Sequence, residues 1–198
     1  MGTLWVAGND MTASLLNQYY GFADTTFTTV TAATQTQLST SYSIAANEPS
    51  AGSAYTVDFG GNGTWGATQQ TLVFGLSIGG VALLASVTIG AQAFSASAAF
   101  RFAGVARFAW NQVGASGNVL ADIMGNLTQT ANNVAPPGTY TQGNFQSANS
   151  IGFADANTAA SATINSTVST AVFVTCAWGS TTGAPTLTNR KTIFRKVA

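Results

Sequence analysis

The chain has 198 residues, of which 46% are hydrophobic and only 6% are charged, against about 25% charged residues in an ordinary soluble domain. Six Lys and Arg balance six Asp and Glu, so the net charge is zero. This composition excludes the highly charged disordered class, and its many Thr residues favour β-structure. Because a surface without net charge tends to associate, we expect other molecules to cover much of it.

The composition also removes several catalytic chemistries. There is no histidine, so an imidazole base or a hydrolase triad is excluded. The single cysteine, Cys176, lies in an alternating apolar run and is predicted to be a buried small side chain. The six carboxylates are scattered singly, and a hydrolase that uses Asp58 and Asp122 is kept as an alternative. We expect no enzymatic activity, no metal and no cofactor.

The first 22 residues differ from the rest of the chain. Apolar side chains recur there at helical spacing, with Asn9 or Asp10 placed to cap a helix and Gly21 placed to end it. This pattern predicts a short helix over residues 11–20, which is too small to be stable alone and must dock on a partner. We therefore assign residues 1–22 as an anchoring segment. The anchoring and interface residues we predict are Trp5, Met11, Leu15, Leu16, Tyr19 and Tyr20.

Residues 23–198 are predicted to form one antiparallel β-sandwich domain. Short segments rich in Thr, Val, Phe and Tyr are separated by turn residues about every ten positions, which is typical of sandwiches and barrels. The predicted strands cover residues 25–33, 37–45, 54–59, 70–78, 81–89, 98–110, 118–128, 168–178 and 186–196.

The uncharged stretch at residues 72–91 is long enough to be a membrane span. However, its apolar residues alternate, Gly79 and Gly80 interrupt it, and no Lys or Arg flanks it. These features favour a β-hairpin over a membrane helix. We expect no membrane partner.

The loops carry the remaining predictions. Asn47 to Pro49, Asn62-Gly63 and residues 114–118 are predicted turns, and residues 131–160 form a long surface connection with room for one strand. Trp65, beside the Asn-Gly turn, and Tyr140 are candidate ligand contacts because an aromatic ring can stack on a sugar.

A basic run closes the chain: Arg190, Lys191, Arg195 and Lys196. In an extended strand these side chains do not all face one way. Lys and Arg commonly protect an exposed sheet edge from pairing with another strand. We expect this role and no nucleic-acid partner.

Two segments resemble structural proteins of tailed bacteriophages. Residues 5–17 read Trp-x-x-Gly, then Thr-Ala, then Leu-Asn, and this run is similar to the leader of many small phage tail and appendage proteins. Residues 165–178, followed by a Ser/Thr/Gly loop and a basic last strand that contains Leu187-Thr188-Asn189-Arg190, are similar to the end of phage jelly-roll modules.

The resemblance implies a jelly-roll or TNF-like sandwich, commonly a homotrimer, located in the virion. Its partners would then be copies of itself and other tail or capsid proteins. We expect a tail or appendage component that is attached through residues 1–22. Two alternatives stay open: a capsid decoration protein of the same fold, and a host-attachment module that binds a surface glycan through Trp65 and Tyr140.

Overall fold

A computed structural model describes residues 22–24, 28–67, 71–89, 97–129, 150–156 and 163–197. These residues form strands and connecting turns, with no helix among them. The predicted helix at residues 11–20 lies outside the described residues. No helix of the described part is long and apolar enough to cross a membrane.

Twelve strands of the described residues build two antiparallel sheets that pack face to face. Alternating apolar residues give long strands such as β5 and β9 one buried side, which is the pattern that a two-layer sandwich requires. The strands are β1 Phe22–Asp24, β2 Thr29–Val30, β3 Thr36–Gln37, β4 Tyr42–Ile44, β5 Ala54–Thr64, β6 Leu72–Ile78, β7 Val81–Ile89, β8 Ala99–Gln112, β9 Asn118–Gln129, β10 Ser150–Ala156, β11 Thr170–Trp178 and β12 Thr186–Lys196.

The strand order mixes the two ends of the chain with its middle. The seven-stranded sheet runs β1-β12-β5-β8-β9-β10, with β2 also paired to β12. The five-stranded sheet runs β3-β11-β6-β7, with β4 also paired to β11. The chain therefore crosses between sheets after β2, β4, β5, β7, β10 and β11, so that neither sheet can form from one continuous stretch of sequence.

Aromatic side chains fill the space between the sheets. Phe74 of β6 is fully buried and stacks on Phe153 of β10 with ring centroids 5.0 Å apart. Its ring centroid is also 5.6 Å from those of Phe59 and Phe102, so one side chain of the five-stranded sheet touches three strands of the other. At the far end of the core, the indole N–H of Trp178 donates to the Val30 carbonyl oxygen at 3.2 Å. This contact satisfies a polar group that would otherwise be costly to bury.

Glycines in β5 make room for these rings. A Cβ on Gly61 would collide with the Thr188 carbonyl oxygen and lie 2.9 Å from the Phe102 ring, and a Cβ on Gly63 would lie 2.5 Å from the Phe100 ring. The predicted Asn62-Gly63 turn is therefore wrong. Both residues lie inside β5, where bare backbone is needed because neighbouring aromatic rings cover it.

The other predicted turns are confirmed. Gly79 and Gly80 have φ values of 60° and 81°, which suits the two-residue hairpin between β6 and β7. This finding confirms the hairpin reading of the uncharged stretch. Asn47 has φ 59° next to Pro49, and Gly114 has φ 113° at the start of the β8–β9 turn.

Two strand predictions need correction. Of the strand predicted over residues 25–33, the described residues from 28 onward contain only β2 at Thr29–Val30. The strand predicted over residues 37–45 is split into β3 and β4, which pair with different parts of β11. It is interrupted where the Thr40 backbone N–H donates to the Asp24 carboxylate at 2.6 Å instead of to a neighbouring strand.

The strand at Ser150–Ala156 is the one strand for which the predicted surface connection at residues 131–160 had room. It pairs along its length with β9.

Candidate functional site

The outward sides of the two sheets are the broad surfaces that this fold presents. We call the outward side of the seven-stranded sheet the charged face and that of the five-stranded sheet the neutral face. Strand alternation decides which side chains lie on them: in β5, for example, Tyr55, Val57 and Phe59 are buried, so Thr56 and Asp58 point outward.

All Lys and Arg residues belong to one sheet. Each lies on either β8 or β12, which border the two sides of β5. The five strands of the other sheet contain no charged residue at all. The sequence shows that cations cluster late in the chain, but only the strand order shows that they share a sheet.

Ion pairs on the charged face are exposed and loose. Arg195 Nη1 lies 3.2 Å from Asp58 Oδ2, and Arg107 Nε lies 4.0 Å from Asp122 Oδ1. Roughly a third to a half of each side chain remains accessible to water. Such pairs contribute about 0–1 kcal/mol to folding, so stability alone does not explain why the cations gather here.

A polar cluster lies near one end of the charged face. Arg190 Nε donates to Asn62 Oδ1 at 2.9 Å, and the β5–β8 register places Arg101 directly beside Asn62. Lys191 is opposite Gly60, the next outward position of β5. Three cations of two different strands thus surround one amide, and all three are exposed.

Apolar side chains occupy the middle of the charged face. Met124 and Leu120 of β9 are 37% and 44% exposed. Across the sheet, Met124 is opposite Val105, Val105 is opposite Asp58 and Asp58 is opposite Ile193. Directly paired residues of antiparallel strands share one side of the sheet. The row is apolar except for Asp58, with Arg107 and Arg195 on one side of it and Lys191 on the other.

The neutral face presents small and apolar side chains. Ser77, Thr175 and Ala177 are buried there, and Val73 and Phe173 are half-buried. Covering such side chains requires no desolvation of an ion, which is the most expensive part of burying a polar surface.

The prediction that Trp65 lies at the surface is wrong. Its side chain is 1% exposed and packs edge-to-face against Trp178 and Phe100. The error follows from the misread Asn-Gly turn, because β5 continues through Thr64 and carries Trp65 into the core. The aromatic side chains that the structure describes are all buried or half-buried. Tyr140 lies outside the described residues.

The predicted anchoring residues, Trp5, Met11, Leu15, Leu16, Tyr19 and Tyr20, also lie outside the described residues. The structure therefore gives no geometry for the segment at residues 1–22. The described part begins at β1, which pairs antiparallel with the last strand, β12.

Reactive groups are dispersed or buried. The Cys176 thiol is fully buried, and this burial raises its pKa to about 12, so it remains protonated and unreactive at neutral pH. Asp58 and Asp122 each face an arginine, and β8 separates their strands. Within the described ranges, no three His, Cys, Asp or Glu residues lie close enough together to hold a metal ion.

Comparison with known proteins gave no match. Neither a protein-family model, nor a curated protein, nor a solved structure is similar to this chain. The outward sides of the two sheets are therefore the basis for a proposed function.

Proposed function

We propose that this protein is a non-enzymatic structural component of a bacteriophage virion, a homotrimeric tail or appendage protein with a jelly-roll fold. The strand order supports the finer fold assignment. The chain crosses repeatedly between the two sheets, and the first and last strands of the seven-stranded sheet are neighbours. A jelly roll is built by this kind of Greek-key crossing.

The observation that carries the proposal is the absence of charge from one whole sheet. An isolated protein gains solubility from charges on each of its surfaces, and the neutral face has none. Copies of the chain can pack the accessible part of this face, which includes the half-buried Val73 and Phe173, together at little electrostatic cost. We assign it as the contact between copies.

Light scattering on the purified full chain tests the assembly. We expect a mass near three chains. Val73→Glu adds a charge to the half-buried neutral face and should shift the mass toward one chain, because a carboxylate in the contact would lose its water without gaining a partner. A trimer that tolerates this change would contradict the assignment of the face.

The matched control places the same carboxylate on the other sheet. Thr56 of β5 lies between Arg195 and Arg107 in the register, so Thr56→Glu adds a negative charge next to two positive ones. We expect its mass to stay equal to that of the unmodified protein. If both variants dissociate, the loss reflects a general effect of added charge and not a contact on the neutral face.

Particle location needs a separate measurement. Gold-labelled antibody against this chain, imaged on purified particles by electron microscopy, should mark the tail or an appendage. Labelling of the capsid would replace the tail assignment by capsid decoration, and unlabelled particles would contradict the virion proposal. Deletion of residues 1–22 should abolish labelling, while the purified truncated protein should still be a trimer.

A further inference from the structure

The charged face has an excess of positive charge although the chain as a whole has none. Its outward positions hold five cations, Arg101, Arg107, Arg190, Lys191 and Arg195, against two carboxylates, Asp58 and Asp122. Within the described residues, no carboxylate lies within 4.0 Å of Arg101 or Lys191. The outward positions of this face therefore hold three more positive than negative side chains.

The charged face also has a mainly apolar centre. Met124, Val105 and Ile193 share one row with Asp58 between the flanking cations, and Leu120 lies beyond Arg107. A mainly apolar centre within a charged surround is typical of a protein interface. Met and Arg are both enriched in such interfaces. The five strands from β12 to β10 span about 20 Å by about 35 Å, or roughly 700 Å², which approaches the roughly 800 Å² per partner of a standard interface.

We propose that the charged face binds a partner protein whose contact surface is apolar at its centre and rich in carboxylates around it. A second copy does not fit, because two charged faces would each bring the same positive excess. A nucleic acid or polyanionic polysaccharide fits poorly, because its anionic surface offers no apolar groups to cover Met124, Val105 and Ile193. Identification of the partner as a neighbouring virion protein rests on the proposed function, whereas its acidic and apolar chemistry does not.

Fluorescence anisotropy with defined probes tests this chemistry on the full chain. The main probe is the labelled peptide Glu-Glu-Val-Thr-Val-Thr-Val-Glu-Glu, which combines three valines with flanking carboxylates. The comparison probes are tetraglutamate, heparin and a 20-base-pair DNA. We expect the valine-containing peptide to bind most tightly, and its affinity to fall as salt screens the exposed charges. No saturable binding of this peptide would overturn the proposal, and so would tighter binding of heparin or DNA.

Matched substitutions locate the binding. Arg101→Gln removes one positive charge from the face and should weaken peptide binding about three-fold, whereas Lys196→Gln removes one positive charge beside Glu48, outside the face, and should change it by less than about 1.5-fold. Met124→Gln should weaken the valine-containing peptide but not tetraglutamate, and Val168→Gln, at an exposed loop position, should weaken neither. Equal effects of Arg101→Gln and Lys196→Gln would contradict binding at this face.

The proposal and the proposed function can fail separately. A protein that binds the peptide but scatters light as a single chain contradicts the trimer and supports the acidic partner. A trimer that does not bind the peptide supports the assembly and overturns the acidic partner.

Discussion

The two sheets bury the same kind of side chain on their inward sides, but their outward sides differ in charge. Phe74 from one sheet and Phe153 from the other stack in a shared core, yet every Lys and Arg belongs to the seven-stranded sheet and no charge to the five-stranded one. Because both sheets must bury apolar side chains in the same core, folding does not explain this difference in charge. It is the basis on which we propose different partners for the two outward faces.

The largest expected effect tests whether the core is shared equally. Phe74→Ala removes the ring that contacts three strands of the opposite sheet, and should lower the free energy of unfolding by about 4 kcal/mol through lost burial and a cavity. Phe173→Ala is the control, because Phe173 belongs to the same sheet and is half-buried on its outward side; we expect about 1 kcal/mol. Guanidinium unfolding at one fixed protein concentration measures both. Similar losses would show that the neutral face is packed like the core.

A backbone change should have the next largest effect. Gly61→Ala drives a methyl group into the Thr188 carbonyl oxygen and the Phe102 ring, and the strain of this overpacking should cost about 3 kcal/mol. Gly152→Ala, on edge strand β10, meets no atom closer than 3.9 Å and should change stability by less than about 0.5 kcal/mol. Thermal unfolding followed by circular dichroism separates the two. Equal behaviour would mean that β5 can shift away from its neighbours.

The stability of the protein should depend on pH through Cys176, which lies in β11 of the five-stranded sheet. The folded pKa of Cys176 is raised from 9.0 to about 12 by burial, so its contribution to stability is complete below pH 9 and is lost as pH rises toward 12. Between pH 7 and pH 10 the unmodified protein should lose about 1 kcal/mol more than Cys176→Ala. Urea unfolding at both values measures the difference. Parallel losses would show that the thiol is accessible in the folded chain.

The smallest effect is expected on the charged face. Asp58→Asn breaks the exposed pair with Arg195 and should change the free energy of unfolding by less than about 0.5 kcal/mol. The matched change Asp24→Asn alters a buried carboxylate that accepts the Thr40 N–H, and should cost about 1 to 3 kcal/mol. Urea titration in low and high salt measures both. A large loss at Asp58 would give the charged face a structural role after all.

Much of the fold could be predicted because alternation depends only on neighbouring residues. The strands Val81–Ile89 and Thr186–Lys196 were predicted with the bounds that the structure gives, and the Gly79-Gly80 turn carries its own signal. Alternation cannot reveal that Gly61 and Gly63, on either side of Asn62, lie under two phenylalanine rings of β8. That long-range packing overrode the turn signal at Asn62 and, with it, the expected position of Trp65.

The candidate surface could be predicted only in part. The sequence shows that no Lys or Arg precedes Arg101, but assigning the cations to one sheet requires knowing that β8 and β12 both border β5. The position of strand β10 was not predicted, because Gly152, Ala154 and Ala156 have little β propensity. Pairing with β9 places these residues in a strand. Both features depend on strand neighbours that lie far apart in the sequence.

The aromatic rings over bare glycine backbone have a consequence for how this chain can evolve. Gly63 and the Phe100 ring compete for one volume, so a larger residue at position 63 becomes tolerable once the ring at position 100 shrinks. Such paired constraints predict that, in a set of descendants of this gene, these two positions change together or stay fixed together. Outward positions such as Thr56, free of that competition, should drift independently.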